Sequence, residues 1–169
     1  MKLGARDIAE MSGVIALSTV LSMVKVFSLP QGGSVTAGSM VPILWFSLRK
    51  GAKVGCMAGA IYGLVQLVLE PYVYNLAQGL LDYPIAFGAL GLAGLFKRYS
   101  VVGAAAGIAG RFVAHFLSGI IFFAEYAPEG MSPMAYSAIY NGSYLGIEMI
   151  ISGIFVYLLS KTRAFEAHR

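Results

Sequence analysis

Gly79-Leu80-Leu81-Asp82-Tyr83-Pro84-Ile85-Ala86-Phe87 sets an acid, an aromatic ring and a proline side by side inside an apolar run. Between 75 and 96 Asp82 is the only charged residue, and the run is long enough to cross a bilayer as a helix. A carboxylate in hydrocarbon is costly, so an intramembrane acid reads first as a functional site. The neighbouring ring suggests what it holds: a flat, polar, positively charged small molecule. The competing reading is that Asp82 caps a helix end or meets interfacial water.

The rest of the chain supports the membrane reading. Of 169 residues, 58% are hydrophobic and 12% charged, against roughly 45–50% and about 25% in soluble proteins; mean hydropathy is +0.75. The pattern predicts an all-α integral membrane protein, a single domain over 1–169, with six spans near 8–28, 36–48, 54–70, 75–96, 100–125 and 134–160. The alternation of an outer-membrane barrel is absent.

Charge sets the orientation. Lys2 and Arg6, then Arg49, Lys50 and Lys53, then Lys97 and Arg98, then Lys161, Arg163 and Arg169 all fall on one side of the spans. Glu70, Glu125 and Glu129 fall on the other, with Lys25 near the first span's outer end. By the positive-inside rule both termini are cytoplasmic, in a multi-pass protein of the plasma membrane. The pI near 9.2 therefore reports topology and calls for no nucleic-acid partner. The first span is longer than a signal-peptide core and no convincing cleavage site follows, so it is expected to stay as a helix.

Enzymatic signals are poor. There is no Walker A pattern, no H-E-x-x-H and no G-x-S-x-G. His115 and His168 are too far apart to make a metal site, and Cys56, between Gly55 and Ala58, reads as a packing residue. No metal or cofactor is expected. Small residues at spacing four (Gly51, Gly55, Gly59 and Gly63; Gly103 and Gly107) predict close helix packing. On the first helix Ala9, Ser12, Gly13 and Ala16 form a comparable row, facing either the rest of the chain or another subunit.

Depth organises the polar residues. At ~1.5 Å per residue, Asp82 lies roughly 10 Å below the outer edge of its helix, Asn141 about 12 Å and His115 roughly 18 Å. Tyr83 and Tyr136 share this outer half, with Tyr72 and Tyr74 at its rim. An interfacial tyrosine belt explains some of these rings but leaves Asp82, His115 and Asn141 over; a polar pocket open to the outside explains all three. Deeper still, Arg111 and Glu148 sit roughly 22–24 Å down, and an Arg111–Glu148 ion pair is expected to form the pocket floor.

Several blocks resemble a known family. They are Gln31-Gly32-Gly33-Ser34-Val35-Thr36 with Met40-Val41-Pro42-Ile43 and Ser47-Leu48-Arg49-Lys50-Gly51; Gln78 with Leu81-Asp82-Tyr83-Pro84 and Gly91-Leu92-Ala93-Gly94; and His115-Phe116 through Gly119-Ile120-Ile121-Phe122, with Ala135-Tyr136-Ser137 and Asn141-Gly142. Together they resemble the thiamine-specific substrate-binding components of energy-coupling factor transporters, the ThiT family, over almost the whole chain. The resemblance implies a six-helix vitamin-binding subunit with its site near the extracellular face. It also implies partners: a transmembrane coupling subunit, reached through the first-helix residues Ala9, Ser12, Gly13 and Ala16, and two cytoplasmic ATP-hydrolysing subunits. By motif, the implied thiamine contacts fall on Tyr72, Asp82, Tyr83, His115, Phe123, Tyr136 and Asn141. A familiar member carries glutamate at Asp82, tryptophan where Phe123 stands, and tryptophan in the region of Gly33. Two other readings stay open: a subunit for a different vitamin, and an intramembrane enzyme using Asp82 and His115 as acid and base.

Overall fold

A computed structural model describes residues 3–162; Lys2, Arg163, His168 and Arg169 lie outside the described residues. The helices are α1 (Ala5–Ser22), α2 (Val41–Lys50), α3 (Ala52–Leu69), a composite α4 (Leu76–Leu95), α5 (Ser100–Phe122) and α6 (Pro133–Ser160). Of these, α3, α4, α5 and α6 are long and apolar enough to cross a membrane. The shorter α2 follows Met40 with Pro42 in its first turn, where a missing N–H costs nothing. It ends at Gly51, whose φ of +100° lets the chain turn straight into α3.

The stretch that predicts a continuous first span to 28 followed by a loop is instead a hairpin. Here β1 (Lys25–Ser28) pairs antiparallel with β2 (Ser34–Thr36), Phe27 opposite Val35 and Ser28 opposite Ser34. The turn between them places Gln31 at φ 61° and Gly32 at φ 87°. Strand β1 is exposed throughout, whereas β2 packs on the helices.

Pro84 accounts for the irregularity of α4. It brings no N–H to the helical ladder, and the chain widens into a π turn over Leu81–Ile85, with the Ala86 amide bonding back to Leu81 O. The helix then tightens to a 3-10 form over Ala89–Leu95. Asn75 caps the start, its side chain accepting from the Gln78 amide at 2.9 Å.

The expected glycine rows do pack the chain against itself. A Cβ at Gly63 would sit 2.5 Å from Tyr83 O, and one at Gly59 would collide with the Phe87 carbonyl. At Gly55 it would meet Ser47 and the Gly91 backbone. Backbone therefore rests on backbone along the α3–α4 seam, which locks the π turn in place. Gly103 and Gly107 do the same for α5 against Ala93 and Leu90. By contrast, Ala9, Ser12, Gly13 and Ala16 are all exposed on α1, with open space around Gly13.

At the end of the bundle away from the hairpin, α1 is tied to α2 by charge. Lys50 Nζ lies 2.8 Å from Asp7 Oδ1 and 3.0 Å from Glu10 Oε2. The Asp7 carboxyl is held below its ordinary range chiefly by the Lys50 hydrogen bond and next by the Gly4 amide.

Candidate binding site

At the hairpin end, a cavity of about 130 Å³ opens among α4, α5, α6 and the hairpin turn; one water needs only roughly 10–15 Å³ on this measure. It therefore has room for a small molecule. Tyr72, Asp82, Tyr83, His115, Phe123, Tyr136 and Asn141 all line it.

The widened π turn carries the consecutive residues Asp82 and Tyr83 into the lining. Asp82 is held from three sides. Its Oδ1 accepts from His115 Nδ1 at 2.9 Å, and its Oδ2 from Gln78 Nε2 at 2.6 Å and Ser118 Oγ at 2.8 Å. Arg111 Nε donates to His115 Nε2 at 3.2 Å. A guanidinium only donates, so Nε2 must be the acceptor and the imidazole proton sits on Nδ1, facing Asp82. Asp82, His115 and Arg111 thus form a chain of fixed polarity. Ser118 Oγ gives its hydrogen bond to the carboxylate and none to the imidazole, so Ser118 and His115 do not form a serine–histidine nucleophile pair.

Aromatic rings form the upper wall. Tyr72 stacks on Phe123 with centroids 6.1 Å apart and planes 13° from parallel, and Tyr74 meets Phe123 edge-on at 5.4 Å. The hydroxyls of Tyr72, Tyr74 and Tyr126 form a chain of 3.0 and 2.5 Å contacts across the mouth. Tyr83 braces this wall: its hydroxyl donates to Glu70 O at 2.7 Å and accepts from the Tyr72 amide at 2.8 Å. Asn141 already satisfies itself within the protein, donating to Ser137 O at 3.0 Å and accepting from the Tyr144 hydroxyl at 3.0 Å.

The expected Arg111–Glu148 ion pair is not formed, which corrects the sequence reading. Arg111 lines the cavity whereas Glu148 is buried outside its lining, where β2 supplies it with other partners. Its Oε1 accepts from the Thr36 amide at 2.6 Å and the Thr36 hydroxyl at 2.7 Å. Arg111 lies instead over the Phe87 ring at 4.0 Å, donates to Met40 Sδ at 3.0 Å, and lines the cavity itself. Glu148 therefore pins the hairpin to α6.

Residues missed by the sequence reading include Gln66, Gln78, Ser118, Tyr140 and Tyr144, all in the lining. Tyr140 fastens the hairpin turn, accepting from the Gly33 amide at 3.0 Å and donating to Pro30 O. A Cβ on Gly33 would meet that same hydroxyl at 2.8 Å, so the turn closes on α6 without a side chain there. The spacing of four from Tyr136 to Tyr140 to Tyr144 was the available signal. Among the described residues no group of three His, Cys, Asp or Glu side chains is placed to hold a metal ion.

Comparison with known proteins bears on this geometry. Residues 8–166 match the thiamine transporter protein family (Thia_YuaJ). The chain belongs to that family. It is 36% identical to the thiamine transporter ThiT of Bacillus subtilis (strain 168) over 172 aligned residues, covering 90% of this chain and 89% of that one. Against the thiamine transporter ThiT of Lacticaseibacillus paracasei the identity is 30% over 140 residues, covering 71% and 70%. The fold is similar to the solved structure of ThiT from Listeria monocytogenes, with a TM-score of 0.82 at 22% identity over 94% of this chain and 96% of that one. This is a multi-pass plasma-membrane protein of a transporter family, not an enzyme.

Proposed function

We propose that this protein is a thiamine-binding subunit of an energy-coupling factor importer, capturing the vitamin at the extracellular face. The observation that carries the reading is the Asp82 carboxylate, held by His115, Gln78 and Ser118 beneath the stacked Tyr72 and Phe123 rings. Thiamine joins a permanently cationic thiazolium to a neutral aminopyrimidine. A carboxylate neutralises the one or accepts from the other, and each aromatic face attracts the cation by about 0.5–2 kcal/mol. The relatives named above are thiamine transporters.

Arg49, Lys50, Lys53, Lys97 and Arg98 gather at the end away from the cavity; the positive-inside rule makes that end cytoplasmic and the mouth extracellular. Six crossings with both termini inside fit this arrangement. The family resemblance implies that ATP hydrolysis falls to a separate module of one transmembrane coupling subunit and two ATPase subunits, and the lack of a Walker A pattern in this sequence is consistent with that. The exposed row Ala9, Ser12, Gly13 and Ala16 would let such a subunit approach α1 closely.

Calorimetry of the detergent-solubilised chain with thiamine tests the reading. Tight one-to-one heat without any partner is expected. Heat with a different vitamin and none with thiamine would keep the fold and change the ligand; silence with every vitamin would end the proposal. Tryptophan fluorescence is a poorer probe, because Trp45 stacks under Arg49 at 4.3 Å and does not line the cavity.

A further inference from the structure

A carboxylate oxygen offers about two acceptor positions. Asp82 Oδ2 has both filled, by Gln78 Nε2 and Ser118 Oγ, whereas Oδ1 holds only His115 Nδ1 and keeps one free. Gln78 is 1% exposed and uses its whole amide. Its second amide proton goes to Tyr72 O at 3.0 Å, and its Oε1 accepts from the Tyr74 amide at 3.0 Å. One buried side chain thus joins the carboxylate at the bottom of the cavity to the aromatic segment at its mouth.

We propose that Gln78 is the positioning residue of this site. By filling Oδ2 with Ser118 it turns the single open acceptor of Asp82 toward the ligand, and by clamping Tyr72 and Tyr74 it sets the facing aromatic wall in register with that acceptor. A cation presenting one N–H donor beside a flat ring fits. A guanidinium or amidinium, which needs two parallel acceptors, does not. The inference rests on the cavity being the thiamine site.

The test is a double-mutant cycle with two readouts on the full chain. Q78M keeps the volume of the side chain and removes its polar atoms. Thiamine binding to Q78M should fall at least tenfold, mostly through faster release, whereas in a D82N background the same change should cost less than threefold. Equal losses in both backgrounds would show that Gln78 merely supports the fold and would overturn the proposal, as would an unchanged affinity. S118A, a milder change, should cost three- to tenfold and be non-additive with Q78M; full additivity would also count against it. Hydrogen exchange at the Tyr74 amide of ligand-free protein should speed up at least tenfold in Q78M, which removes its acceptor. Unchanged exchange would show that the clamp is absent. That readout stands even if wild-type protein gives no heat with thiamine, a result that would sink the ligand assignment alone.

Discussion

The α3–α4 seam and the cavity beside it, which adds α5, α6 and the hairpin turn to α4, are built by opposite means. Along the seam, Gly55, Gly59 and Gly63 remove side chains until backbones touch. In the cavity, Gln78, Asp82, Tyr83 and Ser118 keep the elements apart while tying them with hydrogen bonds. A backbone contact has one solution and no rotamers to change, whereas a hydrogen-bonded wall can exchange its partners for a ligand's. The rigid seam therefore sets the positions from which the adaptable side chains work.

The largest effect should come from filling the seam. Gly59→Ala would drive a methyl into the Phe87 carbonyl, which cannot move aside; overpacking of this kind costs about 1–3 kcal/mol or more. Thermal unfolding in detergent should show a strong loss, while Gly13→Ala, in open space inside α1, should show none and gain up to about 1 kcal/mol from helix propensity. Equal effects would erase the distinction between seam and exposed face.

Next comes the cavity floor. Asp82→Asn removes a charge-assisted acceptor worth about 1.5–3 kcal/mol, so thiamine affinity should drop roughly 12- to 160-fold by calorimetry. Unchanged affinity would take Asp82 out of the site. Phe123→Ala, at the mouth, deletes the partner that stacks on Tyr72; at about 0.5–1.5 kcal/mol for such a pair, a loss of roughly 2- to 12-fold is expected. A larger loss than for Asp82→Asn would mean that the rings, and not the charge, dominate recognition.

The smallest effect lies at the far end of the bundle. Lys50 holds the Asp7 carboxyl below its ordinary value of 3.8. A lowered folded-state value means that the stabilisation is present above that range and disappears as pH falls through it. Comparing the melting of wild type and Asp7→Asn from pH 7 down to pH 3 should show a small gap that closes at the acid end. A gap that widens on acidification would reverse the assignment.

Much of the cavity was legible in the sequence, because a polar group amid apolar residues stands out by its cost: Asp82, His115 and Asn141 announce themselves that way. The glycine rows were legible for the same kind of reason, as absences at a fixed period. The hairpin was not. Val24, Val26 and Phe27 extend the apolar run of α1 in composition, and only the turn at Gln31 and Gly32 converts that run into a strand. Arg111 and Glu148 were misjudged because rise along a helix gives height and says nothing of azimuth; a similar expected depth did not make them partners, and Thr36 bonds Glu148 instead. Gln78 was invisible as a working residue, since a glutamine near a helix start usually faces water.

The joint at Gly55, Gly59 and Gly63 also bears on how this chain can change over generations. It excludes every residue larger than glycine while placing no demand on the identity of the groups around the cavity. A descendant can exchange Asp82, Phe123 or Tyr136 and acquire a different cargo without rebuilding its frame. A single methyl in the joint, by contrast, strains the frame itself, and no edit to the cavity relieves that strain. Inheritance is thereby divided into a part held fixed by shape and a part open to invention.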